Sequence, residues 1–332
     1  MDKQVEQALA RFSAFRSAKT LGNFSVEQID EWGFTLVPKG SESEDGSFHS
    51  DLTLIALNHG NEVGGLAVLN ALCQEIDNGQ LTPDLRITFL LGNVAAAKAG
   101  KRYLEQDINR TFNTQAHDSL ESQRAKQLEP IVRNSRFILD FHQTIEPTNT
   151  PFFVYQYNRL AALFAHAVDN ALPVITHKQS TASTLGGMRC DEFGTHCGCV
   201  SIALELSQKG FDQQGIELGV LAAKRAVAAV ENWTEVKSQA PKQVNPMWTW
   251  SHIETYPQEY VQLHTGLQNF TEVEAGQLLG HTQLGIAVQA AQSGALLFPK
   301  HIKVGEPKPG ELYRILKQVN YFATSGPGRA VA

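Results

Sequence analysis

The sequence lacks any apolar run long enough to cross a bilayer as a helix, which takes about 20 residues. Its amino-terminal stretch, MDKQVEQALARFSAFRSAKTL, alternates polar and apolar residues at helical spacing and has no continuous apolar core like that of a signal peptide. These two absences predict a protein with no membrane partner and with the cytoplasm as its compartment.

An excess of positive charge is also lacking. The 332 residues include 28 Lys and Arg against 34 Asp and Glu, a formal net charge of −6. Proteins that bind nucleic acid usually present a basic surface, because cationic side chains neutralise the phosphates. We therefore expect no nucleic-acid partner.

Cysteine is scarce, with four residues in the whole chain. So few cysteines in so long a sequence favour a reducing compartment over a disulfide framework. Cys190, Cys197 and Cys199 lie close to His196, but the paired C-x₂-C spacing of structural zinc sites is absent. We interpret these cysteines as small packing residues or incidental thiols.

Apolar segments interleaved with amphipathic ones fill most of the chain. Strands are predicted near residues 53–57, 86–91, 136–141, 172–176 and 200–205, and helices near residues 63–78 and 212–231. This alternation is typical of an α/β fold with a mostly parallel or mixed sheet flanked by helices.

The composition changes after residue 233. Residues 234–246, TEVKSQAPKQVNP, are polar and contain two prolines, which predicts a linker. Beyond it, short segments such as WTWSHIETY and ELYRIL are separated by Gly, Pro and Asn, a pattern that favours short strands. We expect a catalytic domain over residues 1–233, a linker over 234–246 and a smaller β-rich C-terminal domain over 247–332.

Side chains that can bind a metal follow two of the predicted strands. His59 and Glu62 come just after strand 53–57, in LIALNHGNEVGG, and His142 ends strand 136–141, in LDFHQ. Ligands of open α/β sheets bind beyond the carboxyl ends of the strands, so these three side chains can converge if the strands are neighbours. Two histidines and one carboxylate form a common catalytic zinc site. Taken singly, a histidine at a strand end is more often an ordinary polar residue, but the joint occurrence of these three side chains favours a metal site.

A charged segment, GKRYLEQDINRTFN, lies between these two strands. It can be a solvated surface loop, or Arg102, Arg110 and Asn109 can supply donors to substrate carboxylates and to a developing oxyanion. Asp107 can accept a proton from the imidazole of a metal ligand. Glu205 ends the apolar strand VSIALE, where a carboxylate is either paired structurally or serves as a general base beside a metal site.

Four of these motifs together resemble one family. The motifs HGNE, KRYLEQDINRTF, LDFH and ALELS occur in this order at separated positions, and together with their spacing they resemble the succinylglutamate desuccinylase and aspartoacylase family of zinc amidohydrolases. The resemblance covers roughly residues 50–230 and is greatest to the desuccinylase branch. It implies a fold like that of the zinc carboxypeptidases, with a β-rich C-terminal domain that helps to close the active site.

The resemblance also implies a set of ligands for one zinc ion per chain. In this family's pattern His59, Glu62 and His142 bind the metal, and Asp107 accepts a hydrogen bond from the imidazole of His59.

Roles for the remaining motif residues follow in the same way. Arg102 is expected to polarise the scissile carbonyl, and Asn109 and Arg110 to bind the free carboxylate of the amino-acid part of the substrate. Glu205 is expected to take a proton from the attacking water and to pass it to the leaving amine.

One motif departs from the desuccinylase pattern. An Arg is expected shortly after the third metal ligand, but this sequence has HQTIEP, with Glu146 in that region. A second carboxylate on the acyl group then needs another cation, because a buried unpaired carboxylate is costly. Arg189, in GGMRCDEFG, is the candidate, and a surface position is its alternative.

The sequence thus favours a zinc-dependent hydrolase that cleaves N-succinylglutamate into succinate and glutamate, a step of arginine catabolism. One alternative is the same chemistry on another N-acyl amino acid or on a small peptide, as in aspartoacylases and carboxypeptidases. Another is a catalytically silent ligand-binding protein on this fold, and a homo-oligomer is possible in each case.

Overall fold

A computed structural model describes residues 2–40, 49–115, 118–145, 148, 150–178 and 187–324 of the chain. Within this part no helix is both long and apolar enough to cross a membrane. The four cysteines are unpaired thiols, and Cys73, Cys190 and Cys199 are buried. Burial raises the pKa of the Cys190 thiol well above its usual range, as expected for an inert packing residue.

Nine α-helices and one 3-10 helix lie in the described part of the chain. The α-helices are α1 (Lys3–Ser17), α2 (Gly64–Asp77), α3 (Val94–Lys98), α4 (Leu120–Arg133), α5 (Arg159–Val168), α6 (Cys190–His196), α7 (Gln213–Glu231), α8 (Trp233–Ser238) and α9 (Tyr321–Thr324), and the 3-10 helix covers Ile108–Arg110.

Sixteen strands lie in the same part of the chain. They are β1 (Thr20–Leu21), β2 (Phe24–Asp30), β3 (Gly33–Pro38), β4 (Ser50–Ala56), β5 (Ile87–Leu91), β6 (Ser135–Thr144), β7 (Phe152–Gln156), β8 (Val174–His177), β9 (Val200–Gln208), β10 (Met247–Thr255), β11 (Val261–Leu263), β12 (Glu272–Val273), β13 (Leu278–Thr282), β14 (Ala287–Gln289), β15 (Gly294–Leu297) and β16 (Glu311–Val319).

Thirteen strands form one mixed sheet in the order β1-β2-β3-β5-β4-β6-β9-β7-β8-β10-β16-β15-β12. Its centre, β5-β4-β6-β9, is parallel. β3 pairs antiparallel with β2 and β5, whereas β7 pairs antiparallel with β9 and parallel with β8. The prediction of an α/β fold with a mixed sheet flanked by helices is therefore confirmed. The predicted strands and both predicted helices are present, with ends that shift by a few residues.

The central strands are buried on both faces. In β4, Leu54 packs in one apolar cluster with residues of α2 and α7, while the next residue, Ile55, packs in a second cluster with residues of α4. Successive strand residues point to opposite faces, so a strand covered on both sides must be apolar throughout. This explains why the parallel strands could be recognised as continuous apolar runs.

The C-terminal strands join the same sheet. β10 pairs parallel with β8 and antiparallel with β16, while β11, β13 and β14 form a separate three-stranded sheet. The predicted β-rich character after residue 246 is confirmed, but the division into domains stays a prediction. α8 (Trp233–Ser238) extends into the predicted linker, and within the linker buried Asn245 donates to the carbonyls of Asp169 and Leu172.

Candidate metal-dependent active site

A strained turn delivers the first candidate ligand from the end of β4. Leu57 has a φ of 61°, a left-handed conformation that is rare for a bulky side chain. Gly60 follows His59, and a Cβ at this glycine would lie 2.3 Å from the backbone nitrogen of Ala97. The HGNE motif therefore needs glycine at its second position, because only then can the turn pack against α3.

His59, Glu62 and His142 converge on one point at the sheet edge. Nδ1 of His59 lies 2.9 Å from one carboxylate oxygen of Glu62, and Nδ1 of His142 lies 2.8 Å from the other. The two imidazole rings are 5.0 Å apart, and all three side chains are buried. Among the described residues this is the group of histidine and acidic side chains that could hold a metal ion.

The donor set fits a divalent cation such as zinc. Two imidazole nitrogens and a carboxylate are ligands that zinc prefers, and catalytic sites combine three protein ligands with an open position. Nδ1 of His59 is buried, and despite its proximity to Glu62 it forms no hydrogen bond within the described structure. Because buried polar atoms are nearly always satisfied, this nitrogen is placed to coordinate a cation.

Carboxylates also hold the outer nitrogen of each imidazole. Nε2 of His59 lies 3.0 Å from Asp107 Oδ1, as the resemblance implied, and Nε2 of His142 lies 2.9 Å from Asp140 Oδ2. Asp140 is fixed in turn by Asn58, whose amide donates to the same oxygen at 2.7 Å. The two carboxylates leave Nδ1 of each ring to face the metal position.

The electrostatics of this cluster favour a positive charge at its centre. Burial alone would lower the pKa of His142, but the carboxylates of Asp140 and Glu62 outweigh burial and raise that pKa well above its usual range. Burial likewise opposes ionisation of Glu62, yet His59 and His142 hold its pKa well below the usual value. A divalent cation between the two imidazole rings would supply the positive charge that these carboxylates favour.

Sequence reasoning missed Asp140, although a signal was present. In LDFH the aspartate stands two residues before the histidine, and alternate residues of a strand point to the same face. We expect Asp140→Asn to weaken zinc binding by about 10- to 100-fold, the usual effect of losing such a partner. Competition with a chromogenic chelator measures this affinity.

Asp212→Asn is the matched control, because Asp212 caps α7 through the backbone N–H of Gly215 and asparagine caps helices equally well. An unchanged affinity in Asp140→Asn would show that the contact to His142 does not orient the ring.

Glu205 lies beside the ligand cluster. β9 pairs with β6 so that Glu205 stands opposite His142, and its Oε2 is shielded from solvent without a hydrogen-bond partner in the described structure. Burial raises the pKa of Glu205 to about 7, with Glu62 adding to the effect and His142 opposing it. A carboxyl group with this pKa exchanges protons readily near neutral pH.

The charged segment GKRYLEQDINRTFN also reaches the metal-ligand cluster, where it forms a turn followed by the short 3-10 helix. Arg102 donates to Glu62 at 2.8 Å, and Asp107 both contacts His59 and caps the 3-10 helix through the N–H of Asn109. The amide oxygen of Asn109 accepts from the backbone N–H of Cys190, and Arg110 is exposed at the cavity rim.

Arg189 also lines the cavity, but it is engaged. Its guanidinium forms two hydrogen bonds with Asp191, at 2.9 and 3.0 Å, and one of its nitrogens lies 3.8 Å from Glu192. Glu146 stands in the region where the desuccinylase pattern has an Arg, and it lies outside the described residues.

The C-terminal part of the chain supplies one side of the cavity, as the resemblance implied, through residues that the sequence analysis did not name. Trp250, Lys300 and Arg314 line it, and the guanidinium of Arg314 lies 5.4 Å from the ring of Trp250 while pairing with both oxygens of Glu311. The cavity has a volume of about 600 Å³, enough for a small organic molecule.

Comparison with known proteins agrees with this geometry. A family model described as the succinylglutamate desuccinylase/aspartoacylase catalytic domain matches residues 49–229. A succinylglutamate desuccinylase of Serratia proteamaculans (strain 568) is 29% identical over 252 residues, which cover 70% of this chain and 74% of the relative. Another, of Pseudomonas fluorescens (strain SBW25), is 27% identical over 324 residues, which cover 90% and 92%.

Solved structures show the same fold at lower identity. The succinylglutamate desuccinylase from Chromobacterium violaceum superposes with a TM-score of 0.65 at 20% identity, covering 95% of this chain and 97% of the other. Murine aminoacylase 3 gives a TM-score of 0.60 at 16% identity, covering 82% and 96%. The chain therefore shares this architecture over most of its length, including its C-terminal strands.

Proposed function

Because the chain belongs to the succinylglutamate desuccinylase/aspartoacylase family of hydrolases, we propose that it hydrolyses the amide bond of an N-acyl amino acid at one bound zinc ion. The observation that carries the proposal is Glu205, a carboxyl group with an unpartnered oxygen beside the His59–Glu62–His142 cluster. A purely structural metal site needs no such group, which argues against a silent binding protein.

His59, Glu62 and His142 would hold the zinc ion through the two Nδ1 atoms and the carboxylate that face one another. A bound zinc ion supplies a Lewis acid, which polarises a carbonyl and lowers the pKa of water. Asp107 and Asp140 keep the two imidazoles oriented.

Glu205 would move the proton that the reaction requires. Its carboxylate takes a proton from water while the water oxygen bonds to the amide carbon, and it then gives this proton to the amide nitrogen as the C–N bond breaks. The products are a carboxylic acid and a free amino acid. A raised pKa suits both steps, because the same group must accept and donate at neutral pH.

Two arginines and an asparagine would bind the carbonyl oxygen and the α-carboxylate of the substrate. Arg102 stands at the ligand cluster, where its guanidinium can stabilise the charge that develops on the carbonyl oxygen. Asn109 and Arg110 can bind the α-carboxylate, since Arg110 presents a planar fork at the cavity rim.

N-succinylglutamate is the candidate that the names of the curated relatives suggest. It needs a partner for the carboxylate of its succinyl group, and Arg189 lines the cavity. To bind this carboxylate, Arg189 would have to exchange or share its contacts with Asp191. Another N-acyl amino acid, as in aspartoacylases, is the alternative that this pairing favours.

Release of free amine from N-acyl amino acids tests the proposal. We expect turnover by zinc-reconstituted protein, loss of turnover after chelation, and recovery when zinc is returned. The same compounds with the α-carboxylate converted to a carboxamide are the matched controls and should be poor substrates. Turnover that survives complete removal of the metal, or an absence of turnover on every N-acyl amino acid, would contradict the proposal.

Arg110→Lys locates the α-carboxylate contact. The substitution keeps the charge but loses the bidentate fork, so it should mainly raise KM for the free acid and leave KM for the carboxamide nearly unchanged. Equal changes for both compounds would remove Arg110 from this role.

A further inference from the structure

The cavity has two chemically different sides. Charged side chains surround the metal-ligand cluster, whereas apolar side chains of the sheet and of the C-terminal strands line the other side. We call this second side the apolar wall, and it consists of Phe152, Val154, Ile175, Ala203, Leu297 and Phe298.

Strand pairing places the apolar wall directly beside Glu205. On β7, Phe152 stands opposite Glu205, and Val154 stands opposite Ala203 of β9 and Ile175 of β8. Cross-strand partners share a face of the sheet, so the row begins at the proposed general base and runs away from the metal ligands. A substrate whose amide nitrogen reaches Glu205 therefore has neighbouring atoms over this wall.

Two phenylalanines at the apolar wall have strained backbone conformations, one within the wall and one packed against it. Phe298 has a φ of 52° and Phe270 a φ of 65°, both rare for bulky residues. The ring of Phe270 contacts Phe152 edge-on at 5.4 Å, and the N–H of Phe298 donates to Asn269 at 2.7 Å. Such strain persists where the surrounding structure enforces it, and it is concentrated at ligand sites.

The charges that face the cavity leave little to attract a further carboxylate to this side. Among the described lining residues, acidic side chains are as numerous as Lys and Arg together. Arg314 is paired with Glu311 and Arg189 with Asp191, each through two hydrogen bonds. Lys300 is the cation nearest this side, with its ammonium 5.5 Å from the ring of Phe298 at the edge of the wall. A carboxylate over the strand residues of the wall, away from Lys300, loses its hydration without gaining a partner, which disfavours binding strongly.

We propose that the substrate carries an uncharged apolar group that lies on the apolar wall. This inference rests on the proposed function, which places the scissile amide between the metal ligands and Glu205. The group can come from either end of the substrate, as an alkyl or aryl acyl chain or as the side chain of the amino acid. Burial of a group the size of leucine or phenylalanine should improve kcat/KM about 10- to 100-fold.

Four substrates of zinc-loaded protein separate these sources. N-hexanoylglutamate against N-acetylglutamate tests the acyl chain, N-acetylleucine against N-acetylglutamate tests the amino-acid side chain, and N-succinylglutamate is the charged reference. We expect one of the two apolar substrates to exceed both N-acetylglutamate and N-succinylglutamate by about tenfold or more. The highest kcat/KM on N-succinylglutamate would overturn the inference and leave the proposed hydrolase intact.

Val154→Thr then tests the wall itself. The change nearly preserves shape but replaces a methyl group with a hydroxyl at a half-buried position. The ratio of kcat/KM for the apolar substrate to kcat/KM for N-acetylglutamate should therefore fall several-fold. Val288→Thr is the control, since Val288 is also half-buried in a strand but lies in the three-stranded sheet. An unchanged preference in Val154→Thr would overturn the assignment to the wall.

A binding measurement decides the inference even if none of the four compounds is hydrolysed, which would contradict the proposed function. Calorimetry of the zinc-loaded protein with hexanoate, leucine, succinate and glutamate should show tighter binding of an apolar ligand, a negative heat-capacity change and weaker binding in Val154→Thr. Tighter binding of succinate or glutamate than of both apolar ligands would overturn the inference.

Discussion

Glu205→Gln is expected to abolish most turnover while leaving zinc in place. The amide of glutamine is similar in size to the carboxyl group but can neither take a proton from water nor give one to the leaving nitrogen. General acid–base assistance is typically worth about 10² to 10⁴-fold, so kcat should fall at least that far. Steady-state kinetics and metal analysis on the same preparation measure both properties.

Glu75→Gln controls for the loss of a carboxylate as such. Glu75 pairs with Lys224 at 2.7 Å between α2 and α7, on the helical layer away from the cavity, and its loss should leave kcat unchanged. A Glu205→Gln enzyme with near wild-type rates would show that another group activates water.

Glu205→Gln should also stabilise the metal-free protein at alkaline pH. Burial raises the pKa of Glu205 from its usual 4.5 to about 7, so the folded state is penalised for ionising it above pH 4.5, and the penalty is complete above pH 7. Glutamine removes a penalty of at most about 3 kcal/mol. Thermal unfolding at pH 8 should therefore favour Glu205→Gln, and the difference should shrink as the pH falls toward 4.5.

The parts of this structure that could be predicted from sequence are those with a local signal. β4, β6 and β9 each contain a mostly apolar run because both faces of the sheet are covered. His59, Glu62 and His142 stand at or just beyond the ends of two such runs. The convergence of those side chains follows from the pairing of β4 with β6, which the strand pattern made plausible.

Elements whose role depends on distant pairing were missed. β7 is a five-residue segment, FFVYQ, too short to separate from a helix or a buried loop by its pattern. It nevertheless inserts between β9 and β8 and provides two residues of the apolar wall. Trp250 and Arg314 reach the cavity because β10 pairs with β8, more than 70 residues earlier in the chain. No local pattern in the sequence specifies such contacts.

The ion pairs of charged side chains could not be predicted from the sequence either. Arg189 was considered as an available cation, whereas the structure pairs it with Asp191 two residues away at the start of α6. Sequence gives the charge of a side chain but not the partner that already holds it.

His59→Ala is expected to remove zinc and activity together. The substitution takes away one of three protein ligands. Only Glu62 and His142 remain, whereas catalytic zinc sites use three protein ligands. Zinc content, measured by mass spectrometry after desalting, should fall from about one ion per chain to near zero, and released amine should fall to background.

His177→Ala is the matched control for that loss. His177 is a buried histidine at the end of the nearby strand β8, where it contacts Glu192 at 3.0 Å and does not belong to the metal-ligand cluster. Removing it creates a similar cavity and takes away one contact of the buried Glu192 carboxylate, so it should cost stability but keep zinc. Full zinc occupancy in His59→Ala would place the metal elsewhere. Loss of zinc in both variants would show that the loss follows from destabilisation and would withdraw the support that His59→Ala gives to this site. Loss confined to His59→Ala would assign it to the ends of β4 and β6.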